Sequence, residues 1–335
     1  MNITKIKQKI KKYLMNITKI KQKIKKYLLQ RHMPSDFDPN AYLFFNPDVL
    51  NSGVNPFLHY ILYGRHESRQ YKFEENTLLN IKTFNTKKPS DVEAFDIFDG
   101  SWSTSIPHVP NTGVFPGLND PRIIYLSKQF NFKNKSCLEL GPLEGAHTYM
   151  MENLGANVTA IESNIGAFLR CLILKNHFSL NAKFLHGDFS KFDYKKQKFD
   201  FILASGVLYH MSNPVKLIED LSSSTKNLFL WTHYFDPDIN KWNPALKDQI
   251  NLGKWDLNTP IEFSSNSLTV RAIRQSYNES LGWSGFCGGT ETYSYWLFRD
   301  DLIELLKHVG FTKIDISFDQ IDHQNGPSFC IFAQK

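Results

Sequence analysis

Two glycines and one glutamate set the chemistry open to this sequence. Gly141 and Gly145 stand four residues apart in Glu139-Leu140-Gly141-Pro142-Leu143-Glu144-Gly145, after a short apolar run (Cys137, Leu138, Leu140). A helical pattern follows, with Tyr149, Met150 and Leu154. Strand, glycine turn and helix let a backbone come close to a nucleotide-like ligand, because glycine has no Cβ and accepts left-handed φ. Glu162 lies 21 residues beyond Gly141, at the end of a second strand-like run, 158–161. A carboxylate at the tip of a second strand suits a ribose diol, since it can accept both hydroxyl hydrogens. Gly-x-Gly-x-x-Gly is absent, which weakens a nicotinamide or flavin reading.

Alternating elements must hold these groups in place. The spacing predicts strands at 136–140, 158–161, 183–186, 199–204 and 228–231, and helices at 144–154, 165–177, 214–221 and 300–309. A helical pattern at 121–130 precedes them, and two strands, about 313–318 and 328–333, close the chain. Alternation of this kind implies an α/β fold around a parallel sheet, with ligands at the carboxyl ends of the strands. Residues 234–290 read as a long insertion, the kind of segment that builds substrate contacts.

Further strings follow the glycine turn in order: Ala160-Ile161-Glu162, Gly187-Asp188-Phe189 and Ser205-Gly206-Val207-Leu208-Tyr209-His210-Met211. Together they resemble the class I S-adenosylmethionine-dependent methyltransferases, over roughly residues 121–335. Within that class they are most similar to the branch of tRNA wobble-uridine methyl- and carboxymethyltransferase-like proteins, which share Gly-Val-Leu-Tyr-His. Leu143 departs from the pattern, because many relatives carry a glycine there; Pro142 would then fix the turn. The resemblance implies a Rossmann-like, mostly parallel seven-stranded sheet with helices on both faces, and S-adenosylmethionine as cofactor. It also implies roles. Gly141 and Gly145 would admit the methionine portion, and Glu139 would orient its amino group. Glu162 would hold the ribose. Asp188 would accept from the adenine amino group, with Phe189 beside the ring. Ser205 and Gly206 would line the floor after strand four.

Methyl transfer from a sulfonium needs alignment and exclusion of water more than covalent help. An alcohol acceptor must lose a proton, so a nearby base assists. His210, after strand four, is the first candidate as base or acceptor binder. His233, after strand five, is the second, and Glu291, in Gly288-Gly289-Thr290-Glu291, is the third. These three show no close ligand spacing, so no metal is expected.

The rest of the chain bounds partners and location. The net charge is +6, yet residues 1–28 hold ten lysines and no acids, leaving the remainder with 29 basic and 33 acidic side chains, a charge of −4. A nucleic-acid groove in the body is therefore not expected. Residues 1–14 recur identically as 15–28 and place Ile3, Ile10, Ile17 and Ile24 on one helical stripe. This basic amphipathic repeat, assigned to 1–33, suits an anionic membrane surface; a short coiled coil, which its like-charged lysines oppose, and a solvated leader are the alternatives. The four cysteines are widely spaced and read as reduced thiols. No run approaches the ~20 apolar residues of a membrane-spanning helix, and the lysine-rich start lacks the apolar stretch of a signal peptide. A cytoplasmic location, peripheral to the membrane if the repeat adheres, is expected.

Residues 34–72 resemble a small module attached to bacterial surface-polysaccharide enzymes. The prolines predict a helical hairpin with Tyr42, Phe45, Phe57, Tyr60 and Tyr63 as its core. Residues 73–120 read as a connector that becomes a lid, rich in Pro, Gly and aromatics, and 121–335 as the methyltransferase domain. The leading expectation is O-methylation of a sugar or other small polar acceptor in surface-glycan biosynthesis. The alternatives are tRNA wobble-uridine modification and a non-catalytic scaffold in polysaccharide assembly.

Overall fold

A computed structural model describes residues 33–72, 85–238, 243, 255, 257, 259–282, 285–289 and 291–335. The basic repeat at 1–28 and the first part of the connector lie outside these residues. The described residues fall into two compact units, within Met1–Thr77 and Leu78–Lys335. Among them, no helix is long and apolar enough to cross a membrane.

In the smaller unit, α1 (Pro39–Phe45), α2 (Pro47–Ser52) and α3 (Pro56–His59) precede a π-helical turn, Tyr60–Gly64. Each helix starts on a proline, where the missing N–H has no intrahelical partner to lose. Asp38 and Asn55 cap the first and third through their side chains. Tyr42, Val49, Tyr60 and Ile61 form the core. The expected hairpin is therefore three short helices, and its expected core is smaller. Phe57 is 37% and Tyr63 is 55% exposed, because such short helices have one inward face each, and here Tyr42, Tyr60 and Ile61 fill it.

The larger unit contains α4 (Pro121–Gln129), β1 (Ser136–Leu140), α5 (Ala146–Asn153), β2 (Asn157–Glu162), α6 (Ile165–His177), β3 (Lys183–His186), β4 (Phe201–Ser205), α7 (Pro214–Ser224) and β5 (Asn227–His233). After these come β6 (Ile261–Ser265), β7 (Leu268–Ser276), β8 (Tyr293–Leu297), α8 (Arg299–His308), β9 (Lys313–Gln320) and β10 (Ser328–Gln334). The main sheet has seven strands in the order β3-β2-β1-β4-β5-β10-β9. The first five are parallel, and β10 runs antiparallel to both β5 and β9. This is the Rossmann-like methyltransferase fold that the motifs implied.

Strict alternation builds two apolar layers on this sheet. Leu138, Leu140, Ile202, Ala204, Leu228 and Leu230 face one way and meet α7 and α8 through Leu217, Ile218, Leu302 and Leu305. Cys137, Phe201, Leu203, Phe229, Cys330 and Phe332 face the other and meet Ile123, Leu126 and Met151 of α4 and α5. Each fully buried side chain of this size contributes about 1.5–3 kcal/mol. Glu139, Ser205 and Trp231 continue this second layer toward the carboxyl edge, so polar chemistry gathers there.

Several bounds differ from the sequence reading: β4 begins at Phe201 rather than 199, and β5 and β9 each run two residues further, to His233 and Gln320. The helix after the glycine turn begins at Ala146 rather than Glu144, because Gly145 N–H bonds back to Pro142 O at 2.9 Å and Gly145 takes φ +80°. The insertion at 234–290 is partly sheet: β6 and β7 join β8 in a three-stranded antiparallel sheet. Within the larger unit, residues 85–120 pack against α6 and the turn after it. Phe95, Phe98, Trp102 and Ile106 bury against Leu174 and Leu180, and Trp102 Nε1–H donates to Phe95 O at 3.0 Å.

Candidate active site

One cavity of about 510 Å³ opens at the carboxyl edge of the parallel strands, within the range of small-molecule sites. Its wall takes Gly141 to Glu144 after β1, Glu162 at the end of β2, Asp188 and Phe189 after β3, Ser205 at the end of β4 with Gly206, Val207, Tyr209 and His210 beyond it, and Trp231 on β5. Ser103, Thr104 and Phe115 line it from the segment before α4, and Cys287 to Gly289 with Glu291 line it from beyond β7.

Glu162 holds the backbone on the β2 side of the cavity. Its Oε2 accepts Leu143 N–H at 3.1 Å and its Oε1 accepts Asn164 N–H at 2.8 Å. Burial pushes its pKa up, against the pull of these backbone donors. Gly141 takes φ +62°, and a Cβ there would stand 2.7 Å from Val207 Cγ1, so no larger residue fits the turn beside β4. Asp188 caps the short turn that carries Phe189, through Ser190 N–H at 2.8 Å. Ser205 and Gly206 pair through β4 and the Trp231 carbonyl with β5.

Glu139 and Gly145 do not line the cavity. Glu139 is 2% exposed and accepts from the Thr148 hydroxyl behind the wall. Burial pushes its pKa up. Gly145 faces Phe184, Leu174 and Cys171 in the packing between sheet and α6. The strand alternation turns Glu139 toward α5, and the turn puts Gly145 at the helix entrance instead of beside a ligand.

The three proton-handling candidates part company. His210 lines the cavity, and its Nδ1 lies 2.8 Å from the Tyr277 hydroxyl. Burial pushes its pKa down to about 4, so it is neutral at physiological pH. Glu291 also lines the cavity and is exposed. His233 is not on the wall. It is 4% exposed, stacked on Trp296 at an interplanar angle of 8°, with Nδ1 2.9 Å from Gly326 O. Burial and the neighbouring His323 push its pKa down to about 4. It is a packed core histidine. Among the described residues, no cluster of three or more metal-ligating side chains occurs.

Sequence reasoning missed a buried charged network. Asp120, 1% exposed, receives Arg122 Nε and Nη2 at 2.9 and 2.6 Å, and His147 Nε2 lies 3.0 Å away. Burial would raise the pKa of Asp120, but the His147 and Arg122 contacts win and hold it well below the usual range. Arg122 Nη1 reaches Ser205 Oγ at 3.3 Å, and the guanidinium lies 5.0 Å from the Trp231 ring centroid. Arg122 and His147 face the cavity. Glu144, 1% exposed, was also missed. Its carboxylate takes Ser103 N–H and Thr104 N–H, both at 2.8 Å, and so ties the preceding segment over the site. The helical pattern from Pro121 was visible in the sequence; the contact of Asp120 with His147, 27 residues away, was not.

A mostly parallel Rossmann-like sheet with a glycine turn, a strand-tip glutamate and a cavity at its carboxyl edge defines the class I methyltransferase architecture. Residues 138–227 match the methyltransferase domain family. The chain is similar to the tRNA U34 carboxymethyltransferase of Campylobacter hominis, 31% identical over 113 residues, 32% of this chain and 39% of the relative. It is similar also to that of Campylobacter curvus, 25% identical over 115 residues, 33% of this chain and 39% of the relative. The chain thus spans about two fifths of the length of these curated relatives. Among solved structures, it is similar to the N-terminal domain of EvdMO1 with S-adenosylhomocysteine and D-fucose, with a TM-score of 0.55, 19% identity, and coverage of 73% of this chain and 94% of that one. The chain carries a methyltransferase domain of this fold, and S-adenosylmethionine is the cofactor of that domain.

The residues present fit that cofactor. Glu162 keeps acceptor capacity toward the cavity for a ribose diol. Phe189 offers a ring face and Asp188 an acceptor for an adenine. Arg122, fixed by Asp120, offers a guanidinium for a carboxylate. The bare Gly141 and Gly206 backbone leaves room between them.

Proposed function

We propose that the chain methylates a hydroxyl of a sugar or similar small polar acceptor in surface-glycan biosynthesis. The observation that carries this reading is a single cavity that joins the glycine turn and Glu162 to Phe115, Tyr209, His210, Trp231 and Glu291. Bound S-adenosylmethionine supplies an electrophilic methyl group on a sulfonium sulfur. The aromatic walls offer flat apolar faces to a sugar ring and keep water out. His210 and Glu291 are the groups that orient the acceptor hydroxyl and take its proton as the new C–O bond forms. The sugar found with the EvdMO1 domain supports this choice of acceptor, as does the likeness of residues 34–72 to modules of polysaccharide enzymes. The cysteine, histidine and aspartate content of the site gives no reason to invoke a metal.

A second reading, modification of the tRNA wobble uridine, is favoured by the Campylobacter relatives and by the shared Gly206 to His210 string. The charge of −4 outside residues 1–28 weighs against it. The test is to incubate the full chain with methyl-labelled S-adenosylmethionine and host extract, and to separate glycan, sugar-nucleotide and RNA fractions. Label in a glycan or sugar-nucleotide fraction is the expected result. Label in RNA overturns it in favour of the second reading. No label in any fraction, with cofactor binding intact, leaves a scaffold.

A further inference from the structure

The insertion supplies a partner to the histidine on the acceptor side. Tyr277, 6% exposed, follows β7 and brings its hydroxyl to 2.8 Å from His210 Nδ1. A phenol has one hydrogen to give and two lone pairs to fill. Two acceptors compete for that hydrogen: His210 Nδ1 at 2.8 Å and Gly288 O at 3.4 Å. The second distance is at the long end for an O–H donor, so the imidazole nitrogen wins. Among the described residues, the side-chain hydrogen bonds of His210 run through Nδ1, and its ring lines the cavity.

We infer that Tyr277 fixes the tautomer of His210, holding Nδ1 as an acceptor so that Nε2 presents an N–H to the cavity. His210 then orients the acceptor by donating to its oxygen and does not take the proton. The proton leaves the acceptor hydroxyl for the Glu291 carboxylate on the same cavity as the C–O bond forms and the C–S bond breaks. Tyr277 is a positioning residue. This inference rests on reading the cavity as the methyl-transfer site, but its test reads the histidine directly.

The experiment is a long-range 1H–15N correlation spectrum of the full chain, labelled at histidine and saturated with S-adenosylhomocysteine, with the His210 signals assigned by their loss in His210→Gln. The expected spectrum has a pyridine-like, unprotonated Nδ1 and a pyrrole-like, protonated Nε2. A protonated Nδ1 overturns the inference. In Tyr277→Phe the expected result is a mixed or inverted tautomer, and a fall in kcat of about tenfold with cofactor affinity unchanged. An unchanged tautomer in that variant also overturns it. Should Tyr277→Phe not fold, the wild-type spectrum alone decides. A chain that labels no sugar yet shows the Nε2–H tautomer would fail the proposed function and keep this inference.

Discussion

Glu162 holds the backbone of Leu143: its Oε2 accepts the Leu143 N–H at 3.1 Å, across 19 residues of sequence. Leu143 sits at φ +56°, in the left-handed region. The acid at the tip of β2 thus shapes the turn after β1, and the position where relatives carry glycine is a strained leucine here. Left-handed φ costs a leucine about 1–2 kcal/mol. Glycine removes that cost and adds about 0.5–1 kcal/mol of unfolded-state entropy. Leu143→Gly is expected to leave stability within about 1 kcal/mol of the parent, whereas an ordinary buried Leu truncation costs about 2–5 kcal/mol. Chemical denaturation checks this.

Glu144 bridges the turn and the segment above it. Replacing it with alanine leaves the N–H groups of Ser103 and Thr104 without their carboxylate. The expected loss is about 2–4 kcal/mol, since each bond to a charged acceptor contributes about 1.5–3 kcal/mol and part is recovered by water. Glu144→Gln, which keeps one acceptor, should lose about half as much. Hydrogen exchange at the two amides should rise first in both variants. Protection unchanged in Glu144→Ala would show that other contacts hold this segment.

His233 predicts an acid limb. Its pKa in the folded chain is pushed down to about 4 by burial and by His323, against about 6.5 unfolded. The unfolded chain therefore binds this proton first as pH falls. Stability is full above about pH 6.5 and declines toward pH 4, by up to about 3 kcal/mol for this one group. A urea-denaturation series across that window should show the decline, and His233→Phe should make it shallower by about the share of this one group. His210 adds to the same limb for the same reason, with its pKa also pushed down to about 4 by burial.

Asp120 acts lower. Its folded pKa is depressed, because the His147 and Arg122 contacts overcome burial. Its contribution is complete above the unfolded value of about 3.9 and is lost as pH falls below it. Asp120→Asn should be less stable than the parent at neutral pH and should lose less on going below pH 4. Parallel acid titrations of the two proteins would test this.

The fold was legible because its signals are local. β1, α6 and β3 have the bounds that the apolar pattern predicts, and Asn164 starts α6 by accepting Ala167 N–H at 2.9 Å. Gly141, Glu162, Asp188, Phe189, Ser205, Gly206 and His210 line one cavity because strand order brings the carboxyl ends together, and Glu291 joins them from the segment before β8. The misread residues depend on distant partners. His233 lies two residues beyond Trp231 on the same strand face, and it is Trp296, 63 residues later, that covers it. Tyr277 and Arg122 carry no motif of their own. Their place follows from a sheet and a helix packing around a site that is absent from any single stretch.

The central claim is that the cavity beside Glu162 holds the cofactor. Isothermal titration of S-adenosylhomocysteine into the full chain and into Glu162→Ala tests it without knowledge of the acceptor. Binding to the parent is expected, with a loss of at least about tenfold in the variant, corresponding to about 1.4 kcal/mol for the missing contacts to a ribose diol. A variant that stays folded and binds as tightly as the parent, or a parent that does not bind, would contradict the account.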